Sequence, residues 1–402
     1  MVRYRPEQGP SPRAGVQGSM PVHPTEKPRL IAILGTRAQV IKMAPLLAEL
    51  ERRHLPYRLL MTGQHQATVD DLLDEFGIST PRERLYEGPE IKGMAQAGLW
   101  MLRTAWRLWR RRANWAPKPR RHTIVLAHGD TFTTLLAAFV GRLSGTTVAH
   151  VEAGLRSFDW RHPFPEEITR ILVSRVARIA YCPGSWACGN LDKRRTAIVD
   201  TRANTILDAL RTALEKPAAP GNNNDTPYAV ISVHRFENLY SRERMGVILD
   251  TIRRLAERLR VILVLHPTTE KRLTELGRLE ELQQNRNIEL RPRMTYVPFM
   301  QLIARSRLVI SDGGSNQEEL SYLGIPTLLL RMATERQEGL DDNVILSRFD
   351  PERITRAVEG VDTTTPRQTA TLPPHHPASI IVDDLMKRLS PAATDETAGG
   401  RR

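Results

Sequence analysis

The strongest constraint on the fold is a repeated alternation of short apolar runs and helix-like segments. Runs such as RLIAILGT, HTIVLAHGD and TTVAHVEAG are continuously apolar, as parallel strands buried on both faces are. RLIAILGT is followed by AQVIKMAPLLAELERRH and HTIVLAHGD by TFTTLLAAFVGRLSG, both of which have a helical pattern. We also predict strands at YRLLMTG and RIAYCPG. Strands that alternate with helices predict a parallel sheet with helices on both faces, so the chain belongs to the α/β class.

The alternation pauses at EKPAAPGNNNDTP and then starts again with YAVISVHR, VILVLHP, RLVISDGG and IPTLLL as strands. We therefore predict two Rossmann-like domains, residues 29–213 and 228–389, joined by a linker over 214–227 and facing each other across a deep cleft. The termini, residues 1–28 and 390–402, lack any periodic pattern and are predicted to be disordered tails.

Composition excludes several classes of protein. The two cysteines, Cys182 and Cys188, cannot form a disulfide framework, and their spacing fits no common zinc motif. No stretch approaches the roughly 18 apolar residues that a membrane-spanning helix needs, so we expect no integral membrane segment. The N-terminus lacks the apolar core of a secretory signal. The simplest expectation is a cytoplasmic protein.

A basic segment, residues 101–121, contributes much of the net charge of +13. Its sequence, MLRTAWRLWRRRANWAPKPRR, has eight Lys or Arg, three Trp and no acidic residue. Such a segment could make weak contact with a membrane surface. We favour a surface helix whose tryptophans pack inward and whose arginine stems cover the exterior. The chain carries no nucleic-acid recognition motif, so we expect no nucleic-acid partner.

Polar residues follow the predicted strands at their carboxyl ends, where open α/β sheets bind ligands. Arg37 follows the first strand, and Lys42 lies one turn into the next helix. Asp130 and Glu152 follow two other strands, and His234 follows a strand of the opposite domain. Acids and a histidine that converge on one cleft are candidates for proton transfer.

The stretch SDGGSNQEEL, residues 311–320, places two glycines between a strand and a helix. Such a turn lets backbone N–H groups approach a phosphate, and the helix N-terminus favours an anion. Glu319 lies far enough into the helix to reach the vicinal hydroxyls of a ribose. No dinucleotide or Walker-type glycine motif occurs at the strand ends.

Eight segments, in the same order and at comparable spacing, resemble the UDP-N-acetylglucosamine 2-epimerases, which share the two-domain fold of GT-B glycosyltransferases. The resemblance runs from about residue 29 to 388. The segments are GTRAQVIKMAPLL, TGQH, HGDTFTT, HVEAGLRSFDWRHPFPEEITR, NTILDAL, HRFEN, YVPFMQLIARSRLVISDGGSNQEE and ATERQEGL.

The resemblance implies roles for individual residues. Asp130, Glu152 and Glu166 match the acid–base carboxylates, and His234 matches a catalytic histidine near the diphosphate. Phe299 would contact the uracil, Glu319 the ribose and Arg336 the sugar–diphosphate region. The full set of implied substrate-binding residues is Arg37, Lys42, Arg170, Phe299, Gly313, Gly314, Ser315, Glu319 and Arg336. The family requires neither a metal nor a cofactor, and its members are commonly homodimers.

The implied reaction inverts C2 of a UDP-N-acetylhexosamine, UDP-GlcNAc to UDP-ManNAc, by elimination and re-addition of UDP. Because C2 exchanges a proton on both faces, at least two proton-transfer groups are needed. Three alternatives remain open: a hydrolysing epimerase that releases ManNAc and UDP, a GT-B glycosyltransferase, and an inactive binder of nucleotide sugars. The motifs PEEITR, GDTFTT and ERQEG favour the non-hydrolysing reaction.

The sequence departs from the family pattern at several positions. The usual GTRPE is GTRAQ here, which replaces Pro and Glu by Ala38 and Gln39. The usual DSGG is DGGS, so Gly313 stands in place of a serine, and HRRE becomes HRFE through Phe236. Residues 86–96, YEGPEIKGMAQ, match poorly the segment at which some members bind UDP-GlcNAc as an activator.

Overall fold

A computed structural model describes residues 29–63, 69–86, 94–160, 163–217, 226–313, 316–334, 337–361 and 371–390 of the chain. Three predicted site residues, Gly314, Ser315 and Arg336, lie outside the described residues, as do the two predicted disordered tails apart from Ser390. Within the described ranges the chain forms two parallel sheets, which confirms the predicted α/β class.

The first domain contains strands β1 to β7 and helices α1 to α8. The strands are β1 (Leu30–Leu34), β2 (Tyr57–Met61), β3 (Arg82–Arg84), β4 (Ile124–His128), β5 (Thr147–Val151), β6 (Ile179–Cys182) and β7 (Ala197–Asp200). The helices are α1 (Arg37–Arg52), α2 (Val69–Glu75), α3 (Met94–Arg110), α4 (Arg112–Trp115), α5 (Phe132–Leu143), α6 (Glu166–Val176), α7 (Ser185–Gly189) and α8 (Ile206–Glu215). The described strands pair in the order β3-β2-β1-β4-β5-β6-β7.

The second domain repeats this design with strands β8 to β13 and helices α9 to α16. The strands are β8 (Tyr228–Ser232), β9 (Arg260–Leu265), β10 (Ile288–Pro292), β11 (Leu308–Ser311), β12 (Thr327–Leu329) and β13 (Val344–Leu346). The helices are α9 (Phe236–Leu239), α10 (Arg242–Ala256), α11 (Pro267–Glu275), α12 (Leu279–Gln284), α13 (Tyr296–Ala304), α14 (Gln317–Tyr322), α15 (Pro351–Glu359) and α16 (Pro377–Leu389). The described strands pair in the order β10-β9-β8-β11-β12-β13.

The central strands are buried on both faces, which explains their continuously apolar sequences. In β1, Leu30, Ala32 and Leu34 belong to one hydrophobic cluster, whereas Ile31 and Ile33 belong to another on the opposite face. All five residues of β1 are inaccessible to solvent. Because successive side chains of a strand point to opposite faces, a strand covered by helices on both sides needs apolar residues at every position.

The last helix, α16, joins the second domain to the first. It packs against α1 and α8 of the first domain. Asp384 on α16 accepts hydrogen bonds from the Tyr181 hydroxyl of β6 at 2.8 Å and from Arg388 at 2.6 Å. The predicted second domain, 228–389, therefore ends with a helix that lies on the first domain.

The basic segment 101–121 does not fold entirely as expected. Trp115 packs inward, and its indole N–H donates to the Leu108 carbonyl at 2.9 Å. The expectation is wrong for Trp106 and Trp109, which are 57% and 42% exposed. The buried face of α3 is made instead by Trp100, Thr104 and Leu108, which are spaced four residues apart. Since Trp106 and Trp109 fall outside that spacing, they face outward.

Membrane-spanning helices were not expected, and among the described residues none of the helices is both long enough and apolar enough to cross a bilayer.

Candidate active site

A cleft of about 1500 Å³ lies between the carboxyl ends of the two sheets. Nine of the predicted site residues line it: Arg37, Lys42, Asp130, Glu152, Glu166, Arg170, His234, Phe299 and Glu319. Gly313 is buried, is not among the lining residues, and donates its N–H to the Ser311 hydroxyl at 3.1 Å. The predicted role of the Gly313 amide therefore remains a prediction.

The turn between β1 and α1 positions Arg37 and Lys42. Thr36 caps α1, and the Gln39 side chain accepts hydrogen bonds from the N–H groups of Gly35 and Thr36 at 3.0 and 3.2 Å. A side chain at Gly35 would collide with the hydroxyls of Thr62 and Thr133, so this turn requires glycine. The cap fixes the first turn of α1 and so directs Lys42 into the cleft.

Glu152 is held by side chains from three different segments of the chain. Its Oε1 atom lies 2.5 Å from Nζ of Lys42 and 2.7 Å from the amide nitrogen of Asn204. Its Oε2 atom lies 3.2 Å from Nε2 of His128. The backbone of Glu152 has a left-handed φ of 63°, which costs a residue with a Cβ about 1 kcal/mol. These donors stabilise the ionised carboxylate, which can act as a base.

Two histidines lie behind Glu152 at the ends of neighbouring strands. His128 ends β4 and is buried beside Glu152. His150 lies in β5, and its Nε2 atom is 2.7 Å from the Gly129 carbonyl. Burial lowers the pKa of His150 to about 4, although the bond to Gly129 opposes the shift. The imidazole of His150 is therefore neutral at physiological pH.

Asp130 is neutralised by Arg170, which lies on α6. The two side chains form an ion pair with nitrogen–oxygen distances of 2.7 and 2.9 Å. Arg170 also lies 3.6 Å from Glu167, a fully buried carboxylate that accepts from Arg156 at 2.5 Å and from the Ser157 N–H at 3.0 Å. Burial raises the pKa of Glu167, but these hydrogen bonds and charges outweigh it and leave the pKa below its ordinary value. This network ties the loop after β5 to α6.

Glu166 has different surroundings from Glu152. It begins α6 and lines the cleft. Its Oε2 atom is buried and has no hydrogen-bond partner among the residues that the structure describes. The surroundings of Glu166 therefore differ from those of Glu152, whose two oxygens lie near Lys42, Asn204 and His128.

The opposite wall supplies His234, which a buried aspartate positions. Asp312 is fully buried and accepts hydrogen bonds from the N–H groups of His234 and Arg235 at 2.9 and 2.8 Å and from Asn238 at 3.1 Å. The His234 ring stacks on His266 with centroids 4.4 Å apart. Burial, with the charges of nearby residues, lowers the pKa of His266 to about 4. Stacking on His266 therefore holds the His234 ring at the wall of the cleft.

Cations from both domains line the cleft. Arg37, Arg293 and Arg331 do so together with Lys42. Burial and the charge of Arg293 lower the pKa of Arg37, and Glu75 opposes the change. Several cations grouped in one cleft are suited to contact a diphosphate.

The far end of the cleft has the features expected of a nucleoside site. Phe299 on α13 is half-buried and offers an aromatic surface, and Glu319 on α14 is buried beside it along the cleft wall. The Tyr296 hydroxyl is buried, and burial keeps its pKa well above the ordinary value, so it stays a hydrogen-bond donor. Gln317 fastens the following loop through the Thr334 hydroxyl at 3.0 Å.

Several residues of the site are not among those predicted from the sequence. His128, Asn204 and Arg293 line the cleft or contact Glu152, and Asp312 positions His234. His128 and Asp312 stand in motifs already identified by their neighbours, HGDT and SDGG, so their position at a strand end was available as a signal. Asn204 opens NTILDAL, one of the segments that carry the resemblance, and Arg293 follows β10, an edge strand that the sequence does not predict.

The described residues contain no cluster of three or more His, Cys, Asp or Glu side chains suited to hold a metal ion.

Comparisons with known proteins identify the family of the chain. The sequence pattern of the UDP-N-acetylglucosamine 2-epimerase family matches residues 48–376. A UDP-N-acetylglucosamine 2-epimerase of Methanocaldococcus jannaschii is 31% identical over 350 residues, which cover 82% of this chain and 91% of the relative.

Solved structures agree with the fold as well. The complex of the Methanocaldococcus jannaschii UDP-GlcNAc 2-epimerase with UDP-GlcNAc and UDP is similar at a TM-score of 0.69 and 28% identity, over 89% of this chain and 99% of the other. The Neisseria meningitidis enzyme bound to UDP-GlcNAc gives a TM-score of 0.70 and 26% identity over the same shares. Since the family pattern and the two Rossmann-like domains both extend over most of the chain, this protein belongs to the UDP-N-acetylglucosamine 2-epimerase family, a family of carbohydrate isomerases.

Proposed function

We propose that the protein inverts C2 of a UDP-N-acetylhexosamine, converting UDP-GlcNAc to UDP-ManNAc by elimination and re-addition of UDP. One observation carries the proposal: Glu152 and Glu166 line the same cleft in opposite chemical surroundings. Glu152 receives hydrogen bonds from charged and neutral donors, whereas Oε2 of Glu166 is buried without a partner among the described residues. A base and an acid in one cleft suit proton exchange at two faces of one carbon.

In the first step, Glu152 removes the proton from C2. The C–H electron pair forms a double bond between C1 and C2, and the bond from C1 to the UDP oxygen breaks. The products are UDP and an unsaturated N-acetylated sugar. Arg37, Arg293 and His234 lie where they can stabilise the negative charge that develops on departing UDP.

In the second step, the UDP oxygen forms a new bond to C1 while Glu166 gives its proton to the opposite face of C2. The two carboxyl groups have then exchanged protonation states, and the reverse reaction or proton exchange with solvent restores them. Asp130, a further carboxylate of the cleft, is paired with Arg170.

The outcome of the second step decides between the two epimerase types. The motifs PEEITR, GDTFTT and ERQEG support return of UDP to the sugar. In a hydrolysing enzyme, water would attack C1 instead, and the products would be ManNAc and UDP. Following UDP-GlcNAc by phosphorus and proton NMR separates the cases. UDP-ManNAc without free UDP supports our proposal, and stoichiometric free UDP contradicts the non-hydrolysing form.

The same experiment tests the remaining alternatives. A GT-B glycosyltransferase would release UDP only when an acceptor is added, and an inactive binder would leave UDP-GlcNAc unchanged. Against both, the cleft holds three candidate proton-transfer carboxylates, Asp130, Glu152 and Glu166, whereas transfer to an acceptor typically needs a single base and an inactive binder needs none.

The partner we propose besides the nucleotide sugar is a second copy of the chain. The outer face of α3 exposes Leu99, Leu102 and Trp106 by 50%, 69% and 57%. Helix α5 packs beside α3 and exposes Phe139 and Leu143 by 39% and 69%. Exposed apolar residues on neighbouring helices mark interaction surfaces, and in a two-fold dimer such a face meets its own copy.

A further inference from the structure

We propose that Asn204 is a positioning residue that fixes the Glu152 carboxylate for proton transfer at C2. The inference rests on the proposed function of Glu152. It concerns a residue in the loop between β7 and α8, outside the strand-end motifs that carry the acids.

The Asn204 amide is buried and is held at both of its polar atoms. Its Nδ2 donates to Oε1 of Glu152 at 2.7 Å. Its Oδ1 accepts from the N–H of Ile206, the first residue of α8, at 3.2 Å. Because the oxygen faces a backbone donor, the nitrogen must face the carboxylate. The start of α8 thus anchors a donor aimed at Glu152.

The other groups around Glu152 come from different elements. Lys42 from α1 lies on the same oxygen as Asn204, and His128 from β4 lies 3.2 Å from the other oxygen. His150 from β5 and Asp130 after β4 lie further back, and Arg170 neutralises Asp130. Among these, Asn204 adds a directional hydrogen bond without adding charge. It therefore restricts the orientation of the carboxylate, which proton transfer requires.

The variant Asn204→Asp separates this role from the bond that Asn204 makes to the start of α8. An aspartate oxygen accepts from the Ile206 N–H as the Asn204 oxygen does, so that bond survives. The second carboxylate oxygen then faces Glu152 and disfavours its ionised form. Since Glu152 must be ionised to act as a base, the acidic limb of the pH profile of kcat/KM should move to higher pH by about one unit or more. KM should change less than kcat.

Asn190→Asp is the matched control. The Asn190 amide also donates a partly buried hydrogen bond, at 2.9 Å, but its acceptor is the Gly154 carbonyl. This variant should leave the acidic limb where it is in the wild type. Asn204→Ala, which introduces no charge, should lower kcat about tenfold or more and serves if Asn204→Asp does not fold.

A second measurement does not depend on turnover. In protein labelled with ¹³C at the glutamate carboxyl groups, the Glu152 signal is identified by its loss in Glu152→Gln. Its titration midpoint should lie at higher pH in Asn204→Asp than in the wild type. Superimposable titrations and pH profiles would overturn the role of Asn204. A wild type that leaves UDP-GlcNAc unchanged while the Glu152 midpoint still moves would refute only the proposed function.

Discussion

Two glutamates of one cleft differ because of the atoms around them. Glu152 follows β5 and meets Lys42, Asn204 and His128, whereas Glu166 begins α6 with a buried oxygen that has no described partner. The stretch that contains them, HVEAGLRSFDWRHPFPEEITR, is a single loop and helix start in the sequence. The roles of base and acid that we propose for them thus depend on the folded surroundings and not on the motif alone.

Removing either carboxylate should stop the reaction without unfolding the protein. Glu152→Gln and Glu166→Gln keep the size of the side chain and remove proton transfer, which contributes about 10²–10⁴-fold to rate. We expect kcat to fall by that order in each variant, with melting temperatures near that of the wild type. Glu83→Gln is the control, because Glu83 lies on β3, is not among the residues that line the cleft, and pairs with Arg58 on β2. Near-full activity of both cleft variants would refute the assignment.

Gln39 shows how a departure from the family pattern is accommodated. Its amide nitrogen donates to the His128 carbonyl at 2.8 Å and to the Thr134 hydroxyl at 3.1 Å. A glutamate at this position could not donate to the carbonyl while ionised. The substitution therefore links the turn after β1 to the end of β4, where His128 contacts Glu152. The neutral amide of Gln39 therefore makes a structural contact that an ionised glutamate could not make.

At the scale of elements, the sequence predicts the central strands and misses the edges. Strands β1, β2, β4, β5 and β6 of the first sheet were predicted, as were β8, β9, β11 and β12 of the second. The four strands that were not predicted, β3, β7, β10 and β13, are the edge strands of the two described sheets. Edge strands are short and partly exposed, as RER in β3 is, so they lack the continuous apolar run.

The contacts between elements were also beyond prediction. Strand-end position was sufficient to identify Asp130, Glu152 and His234, because the carboxyl ends of parallel strands lie at one edge of a sheet. It was insufficient for Asn204, which reaches Glu152 across 52 residues of sequence. A contact of that kind depends on how α8 packs, which a single sequence does not reveal.

Helix α14 provides a prediction about nucleotide binding. Glu319 lines the cleft, whereas its neighbour Glu318 does not and lies near the Tyr322 hydroxyl, 3.4 Å away. If Glu319 binds the ribose hydroxyls, Glu319→Ala should weaken UDP binding about tenfold or more, the usual effect of losing a hydrogen bond to a charged group. Isothermal titration calorimetry with UDP measures this, and Glu318→Gln should bind UDP as the wild type does. Unchanged affinity in Glu319→Ala would remove Glu319 from the ribose site.

Strand β5 provides a prediction about stability and pH. The pKa of His150 is about 4 in the folded protein, against about 6.5 for an exposed histidine. Between these values the unfolded chain binds a proton that the folded chain does not, so stability is complete above pH 6.5 and falls towards pH 4. The loss should reach about 3 kcal/mol of unfolding free energy. Urea unfolding across this range should show a flatter pH dependence for His150→Gln, and equal slopes would contradict the assignment.

At the scale of the whole molecule, two domains form the cleft and the outer face of α3 is left exposed. A dimer through this face predicts twice the monomer mass in light scattering. Leu102→Glu combined with Trp106→Glu should yield monomers, because a two-fold axis places each added charge in the apolar interface twice. Trp186→Glu, an equally exposed tryptophan at the cleft, should remain dimeric.

Two other results would exclude this dimer. If the wild type is monomeric, or if the double variant remains dimeric, α3 does not form the proposed dimer interface. Binding of the wild type to vesicles with anionic lipids, lost in the double variant, would assign the face to a membrane surface instead. This comparison is necessary because anionic lipid attracts basic helices. Basic residues lie in α3, in α4 and between them, at positions 103, 107 and 110–112.

The central claim is that the cleft exchanges the proton at C2 of a UDP-N-acetylhexosamine. The most direct test is proton NMR of UDP-GlcNAc incubated with the protein in deuterated water. We predict that deuterium appears at C2 as UDP-ManNAc forms, and that neither occurs with Glu152→Gln or Glu166→Gln. Retention of the C2 proton in an incubation where the wild type binds UDP-GlcNAc would contradict the claim.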